Sequence, residues 1–152
     1  MFYFVVRRLR WLGRMPGLPQ FFDALLLMGT CVFRRARLVA LETLEKEALR
    51  LPGVGLKMHR FGGIEFVGRE GRELGHLHGH GLLDVPVGRE AARLLIAAGK
   101  ARPHHVFPHS KWVSLQIETT ADVPFALQLL TSSGDPCAQQ QQKNPARLKE
   151  VR

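Results

Sequence analysis

Gly63-Ile64-Glu65-Phe66-Val67-Gly68-Arg69-Glu70-Gly71-Arg72-Glu73-Leu74-Gly75-His76-Leu77-His78 is the stretch whose reading decides the fold. Gly63–Val67 and Glu73–His78 are short β-like runs, and Gly68-Arg69-Glu70-Gly71 between them has hairpin-turn chemistry. Similar β-like segments lie on either side, at Leu56–Phe61 and Leu82–Val85. Upstream, Leu38, Leu41, Leu44, Leu49 and Leu51 recur at helical spacing among Glu42, Glu45, Lys46 and Arg50, which predicts a helix ended by Pro52-Gly53. Downstream, Gly88–Ala98 reads as a second helix closed by Gly99. Trp112–Glu118 alternates as a strand, and Ala121–Leu130 reads as a third helix. The order α-β-β-β-β-α-β-α predicts an α+β fold, an antiparallel sheet with helices on one face. Polar side chains are then free to gather on the other face.

The chain has 152 residues, enough for one domain with one sizeable core. Its net charge of +9 is uneven. Residues 1–37 carry seven arginines against the single acid Asp23, a net +6, whereas the other 115 residues contribute +3. Nucleic-acid binding calls for a basic face within the folded domain, and that signal is weak here. Residues 1–35 read as an apolar and basic helical N-terminal arm, 36–131 as the domain and 132–152, with Gln139–Gln142, as a flexible tail. The apolar run Phe21–Phe33 is shorter than the ~18–20 residues of a spanning helix. Two readings of the arm stay open: a helical hairpin packed on the domain, or an anchor at a membrane surface with Trp11 and the arginines among the headgroups. Cys31 and Cys137 form no paired motif, which fits a reducing, cytoplasmic compartment.

Six of the seven histidines lie between positions 76 and 109. Strand residues two apart share a face, so His76 and His78 should project side by side. Gly79 and Gly81 should start a turn that swings His80 away. Two imidazoles on one face can bind a metal, share a proton or hold an oxyanion. A metal site on His76 and His78 would need a third ligand from His104, His105, His109, Asp84 or Glu65. Arg102-Pro103-His104-His105-Val106-Phe107-Pro108-His109 is held extended by its prolines and can fold over the sheet. Adjacent residues of an extended chain point opposite ways, so at most one of His104 and His105 should face the site. Trp112 is either a core residue or a stacking wall for a planar ligand. Ser110 and Ser114 lack a nucleophile-elbow context, and Gly53-Val54-Gly55 lacks the rest of a dinucleotide fingerprint.

Gly63-Ile64-Glu65-Phe66, Arg72-Glu73-Leu74-Gly75-His76-Leu77-His78, Arg102-Pro103-His104-His105 and Lys111-Trp112-Val113-Ser114-Leu115 together resemble the luciferase domain shared by fungal luciferases and small bacterial proteins. The resemblance spans about residues 36–131, with Asp122 at the start of the last helix. It implies a cofactor-independent oxygenase, an oxidoreductase of monooxygenase type, using molecular oxygen on a small, planar, enolisable acid. His76, His78 and one of His104 and His105 would be its bases or anchors. Glu65, His80, Asp84 and Trp112 are the expected ligand-binding residues. The fungal enzymes also carry a membrane-associated N-terminus, similar in general character to the arm. This chain is shorter there and has the glycine-rich exit Gly79-His80-Gly81. Two alternatives remain open: a divalent-metal site on His76 and His78, and a non-enzymatic ligand-binding or membrane-associated module whose histidines only hydrogen-bond.

Overall fold

A computed structural model describes residues 17–134. The first half of the arm and most of the tail lie outside them, as do Trp11, Cys137 and the glutamine run. Helix α1 (Leu18–Phe33) is followed by α2 (Arg35–Ala48), then strands β1 (Gly55–Met58), β2 (Ile64–Val67), β3 (Glu73–Leu77) and β4 (Leu82–Pro86). Helix α3 (Arg89–Ala97), the two-residue strand β5 (Arg102–Pro103), β6 (Trp112–Gln116) and α4 (Val123–Gly134) complete the order. The strands form one six-stranded antiparallel sheet, β1-β2-β3-β4-β6-β5. The fold is α+β, as the element pattern predicts.

Register explains the two faces. Phe66 pairs with Gly75, Leu77 with Leu83, and Val85 with Val113. Phe66, Leu77, Leu83, Val85 and Val113 belong to one buried cluster that also takes in Leu41 and Leu44 of α2, Ala92 of α3, and Ala126 and Leu130 of α4. Each large aliphatic or aromatic side chain fully buried there contributes roughly 1.5–3 kcal/mol. The intervening positions put Glu65 beside His76, His76 beside Asp84, and Asp84 beside Ser114. Strand alternation therefore sends the ionisable side chains to the opposite face.

Four details differ from the sequence reading. The first strand ends at Met58 rather than Phe61, because His59–Gly63 folds into a turn with Gly62 and Gly63 both at positive φ. The α2 helix runs from Arg35 to Ala48, earlier than the leucine spacing suggests, because the chain re-enters a helix directly after Arg34. Its C-terminal leucines, Leu49 and Leu51, lie in the turn beyond it. Strand β5 was not expected, since two residues ending in proline give no periodic signal. The last helix continues to Gly134, three residues into the region read as tail, and starts after a turn in which Thr119 and Asp122 cap each other.

Helix α1 lies across two turns of the sheet. Gln20 donates to the Arg60 carbonyl, Thr30 Oγ1 donates to the Gly79 carbonyl at 2.8 Å, and the Gly79 N–H donates to Asp23 Oδ1 at 3.0 Å. A Cβ on Gly79 would stand 2.7 Å from Leu27 Cβ and 2.8 Å from the Asp23 carbonyl oxygen. Only glycine lets the helix come this close.

Candidate functional site

Asp84, in the middle of β4, is fully buried and forms the hub of the polar face. Ser114 Oγ donates to its Oδ1. Around Oδ2 stand four imidazole nitrogens: His105 Nδ1 at 3.3 Å, His76 Nε2 at 3.4 Å, and Nε2 of His78 and of His104 at 3.8 Å. Beta-strand geometry supplies His76 and His78 side by side, as expected. The segment after β5 supplies the other two.

His104 and His105 both face Asp84, which corrects the expectation that only one would. Their rings stack at 4.7 Å and 20°. The chain is not extended here: His104 Nδ1 accepts from the Val106 and Phe107 N–H groups, each at 3.1 Å, and this closes a turn. Those two bonds also fix the tautomer. The neutral ring carries its proton on Nε2, directed to Asp84.

Carboxylates hold the outer nitrogens of the strand pair. His76 Nδ1 lies 2.7 Å from Glu73 Oε1, and His78 Nδ1 lies 3.3 Å from Asp23 Oδ1. His59, from the β1–β2 turn, stacks on His76 at 4.0 Å and 7°, with its Nε2 3.9 Å from Glu73. Trp112 leans over the cluster, 5.4 Å from the His76 ring and 5.9 Å from that of His104. It is half-buried on the site face rather than part of the apolar core.

The electrostatics follow from burial and charge. Burial pushes His76 down, but hydrogen bonds to Asp84 and Glu73 outweigh it and hold the ring at about 9. Burial pushes Asp84 up, and its bonds to His105, His76 and Ser114 more than reverse this, holding the carboxyl far below its ordinary range. The bond from His76 likewise lowers Glu73. Burial lowers His59 to about 4, helped by the neighbouring His76 charge, and lowers His104 to about 4 against the pull of Asp84. His80 is also lowered to about 4, by burial and then by His78. The cluster thus combines a cationic His76 and a buried Asp84 carboxylate with the neutral rings of His59, His80 and His104.

The remaining expected residues are more peripheral. His80 sits in the β3–β4 turn with its ring 5.8 Å from His78, while its carbonyl accepts from Arg37 and Gln116. Glu65 is buried and paired with Lys57 at 2.9 Å, so its charge is spent outside the histidine cluster. His109 is exposed. Sequence reading missed His59 and Asp23 as site residues, and it dismissed Ser114, which acts as a donor to Asp84. For Glu73 the signal was present, in the Arg-Glu lead of the strand motif.

Arg102, Pro103, His104, His105 and Pro108 line a cleft of about 360 Å³. Its lining includes the histidine pair that faces Asp84, together with the exposed residue Arg102. Among the described residues, three donor groups are spaced for a metal ion: His59-Glu73-His76, His76-His78-Asp84 and Asp84-His104-His105.

Residues 71–133 match the family model of the luciferase domain. Over these residues, somewhat under half of the chain, the sequence is similar to the luciferase domain, which supports assignment to that family. No curated protein and no solved structure matches the chain at a significant level. The luciferase domain takes in β3 through α4, and with them Glu73, His76, His78, Asp84, His104, His105, Trp112 and Ser114. Asp23, His59 and Glu65 come from outside the matched stretch. The hub and its four imidazoles are therefore supplied by the luciferase domain, and the carboxylate behind His78 by α1.

Proposed function

We propose that this luciferase-domain protein binds a small, planar, acidic organic molecule in the 102–108 cleft and serves as an oxygenase acting on it. One observation carries the reading: His104 and His105, which line the cleft, share the Asp84 carboxylate with His76 and His78. A ring-sized acid fits a cavity of this volume, since small-ligand pockets begin at about 300 Å³. Arg102 supplies the counter-charge for its anion, and the proline and imidazole surfaces suit a flat ring. The His105–Asp84 pair takes the enol proton, with the carboxylate orienting the imidazole as in other Asp–His dyads. The resulting enolate carbon attacks O₂. A C–O bond forms, the ligand is oxidised, O₂ is reduced to the peroxide level, and a returned proton completes a hydroperoxide. Molecular oxygen is the co-substrate.

Oxygen uptake with a panel of hydroxylated pyrones and catechols, monitored alongside calorimetric binding, tests this reading. A responding compound is expected to lose uptake in His105→Ala and to bind at least tenfold more weakly in Arg102→Ala. Uptake unchanged in His105→Ala, His76→Ala and His78→Ala would show that the cluster is not the site.

A second observation favours the membrane-surface reading of the arm. Phe21, Phe22, Leu25, Met28, Val32 and Phe33 of α1 are all exposed, next to exposed Arg34 and Arg35. Among the described residues no helix is long and apolar enough to cross a membrane, so such an arm would lie on the surface. Flotation with vesicles containing anionic lipid is expected for the full chain. A Met28→Ser/Val32→Ser/Phe33→Ser variant that floats equally well would refute the anchor.

A further inference from the structure

The three candidate donor groups are not equivalent, and hydrogen-bond chemistry separates them. In Asp84-His104-His105, His104 Nδ1 accepts two backbone N–H bonds, so Nε2 holds the proton and has no lone pair for a metal. In His59-Glu73-His76, His76 Nδ1 and Glu73 Oε1 are 2.7 Å apart, a hydrogen-bond contact. Two donors at ~2.1 Å from a tetrahedral ion stand roughly 3.4 Å apart. His76-His78-Asp84 alone has the spacing with no backbone bond on either ring, and a metal at His76 Nε2 takes the place of the proton that nitrogen carries in its absence. Both rings present Nε2 to Asp84 Oδ2, at 3.4 and 3.8 Å, and a donor atom from each residue lies within 4.8 Å of the others.

The surroundings of this triad have the form that metal sites need. Each ring has its other nitrogen on a carboxylate: Nδ1 of His76 on Glu73 and Nδ1 of His78 on Asp23. A carboxylate behind the ligating imidazole fixes the tautomer that leaves Nε2 as the donor and increases its basicity. The carboxylate ligand is itself held, with Ser114 on Oδ1 and with His104 and His105 beside Oδ2. Asp84 would therefore bind through Oδ2 as a single-oxygen ligand.

We propose that His76 Nε2, His78 Nε2 and Asp84 Oδ2 form a site for one divalent first-row transition metal, with Glu73 and Asp23 as positioning residues. Two imidazoles and one carboxylate with open positions are the donor set of catalytic zinc and of non-haem iron alike, and both ions belong to the class that this set suits. The inference does not depend on the identity of any organic ligand. Metal binding is measured without one, so either reading can fail while the other stands.

The test uses the full chain without a His-tag, stripped with chelator and titrated anaerobically with Co(II), followed by visible absorption and metal analysis. One equivalent is expected to bind with d–d bands. His76→Gln and His78→Gln are expected to abolish stoichiometric binding, Glu73→Gln to weaken it about 10–100-fold, and His104→Ala to keep one equivalent. Circular dichroism identifies any variant that fails to fold. For that case, pulsed electron paramagnetic resonance of the wild-type Fe(II)–nitric oxide adduct counts coordinated imidazoles, and two are expected. Absence of saturable binding by the wild type, fewer than two coordinated imidazoles, or loss of binding in His104→Ala with retention in His78→Gln would each overturn the proposal.

Discussion

Leu83 and Asp84 are neighbours on β4, both fully buried, yet they face opposite sides of the sheet and different kinds of interior. Leu83 enters the apolar layer shared with α2, α3 and α4. Asp84 enters a layer of imidazoles, closed by the 102–111 segment and edged by α1. An open sheet face in an α+β fold commonly meets water, which asks nothing of its polar side chains. Here that face is covered, and each ionisable group on it has needed a partner. The contrast separates stability from chemistry: one face holds the fold together, and the other holds charge in place at a cost that only function explains.

Paired substitutions on β4 should show the largest effect. Asp84→Ala strips the counter-charge from His76 and the carboxylate from among four imidazoles, and is expected to lose about 3–5 kcal/mol in urea denaturation, with ligand binding gone. Leu83→Ala is expected to lose a similar amount, about 2–5 kcal/mol, while what remains folded still binds. If Asp84→Ala were as stable as wild type, the buried charge would not be held by its partners.

The pH response comes next. In chelator-treated protein, His76 is raised to about 9, so its contribution is complete below pH ~6.5 and is lost as pH climbs towards 9, of order 3 kcal/mol. His59 and His104 are lowered to about 4, so their contribution is present above pH ~6.5 and is lost as pH falls to 4. Chemical denaturation across pH should trace a dome centred near neutrality or slightly below. A flat profile would contradict the assigned charges. Ser114→Ala, which removes one donor from a buried carboxylate, should cost about 1–3 kcal/mol and shift that dome. Smallest is Glu118→Gln, at the exposed end of the Arg37 ion pair, expected to change stability by about 0–1 kcal/mol.

What the sequence made legible follows the same division. A period of two is enough to put His76 and His78 on one face, and hairpin spacing is enough to bring Asp84 to them across the β3–β4 turn. Glycines at 79 and 81 mark that turn, and His80 accordingly lies in it. Contacts between distant segments left weaker traces. Asp23 reaches His78 only because α1 packs against Gly79, and nothing local to Phe21–Phe33 announces that. Its one trace is the glycine itself, placed between two histidines where an ordinary strand exit would not need one. His59 was missed because its run reads as strand through Phe61, although Gly62-Gly63 marks the turn that carries it to His76. The pairing of His104 with His105 was misjudged because prolines were taken to keep the segment extended, while the His104 ring itself closes the turn.

The central claim is that the polar face is a ligand site entered through the 102–108 cleft. Its most direct test is a crystal structure with an acidic hydroxypyrone or catechol soaked in at saturating concentration. The account predicts a flat molecule in the cleft, its anionic oxygen towards Arg102 and its ring edge against His104 and His105. Density for that molecule elsewhere, with the cleft filled only by solvent, would contradict it.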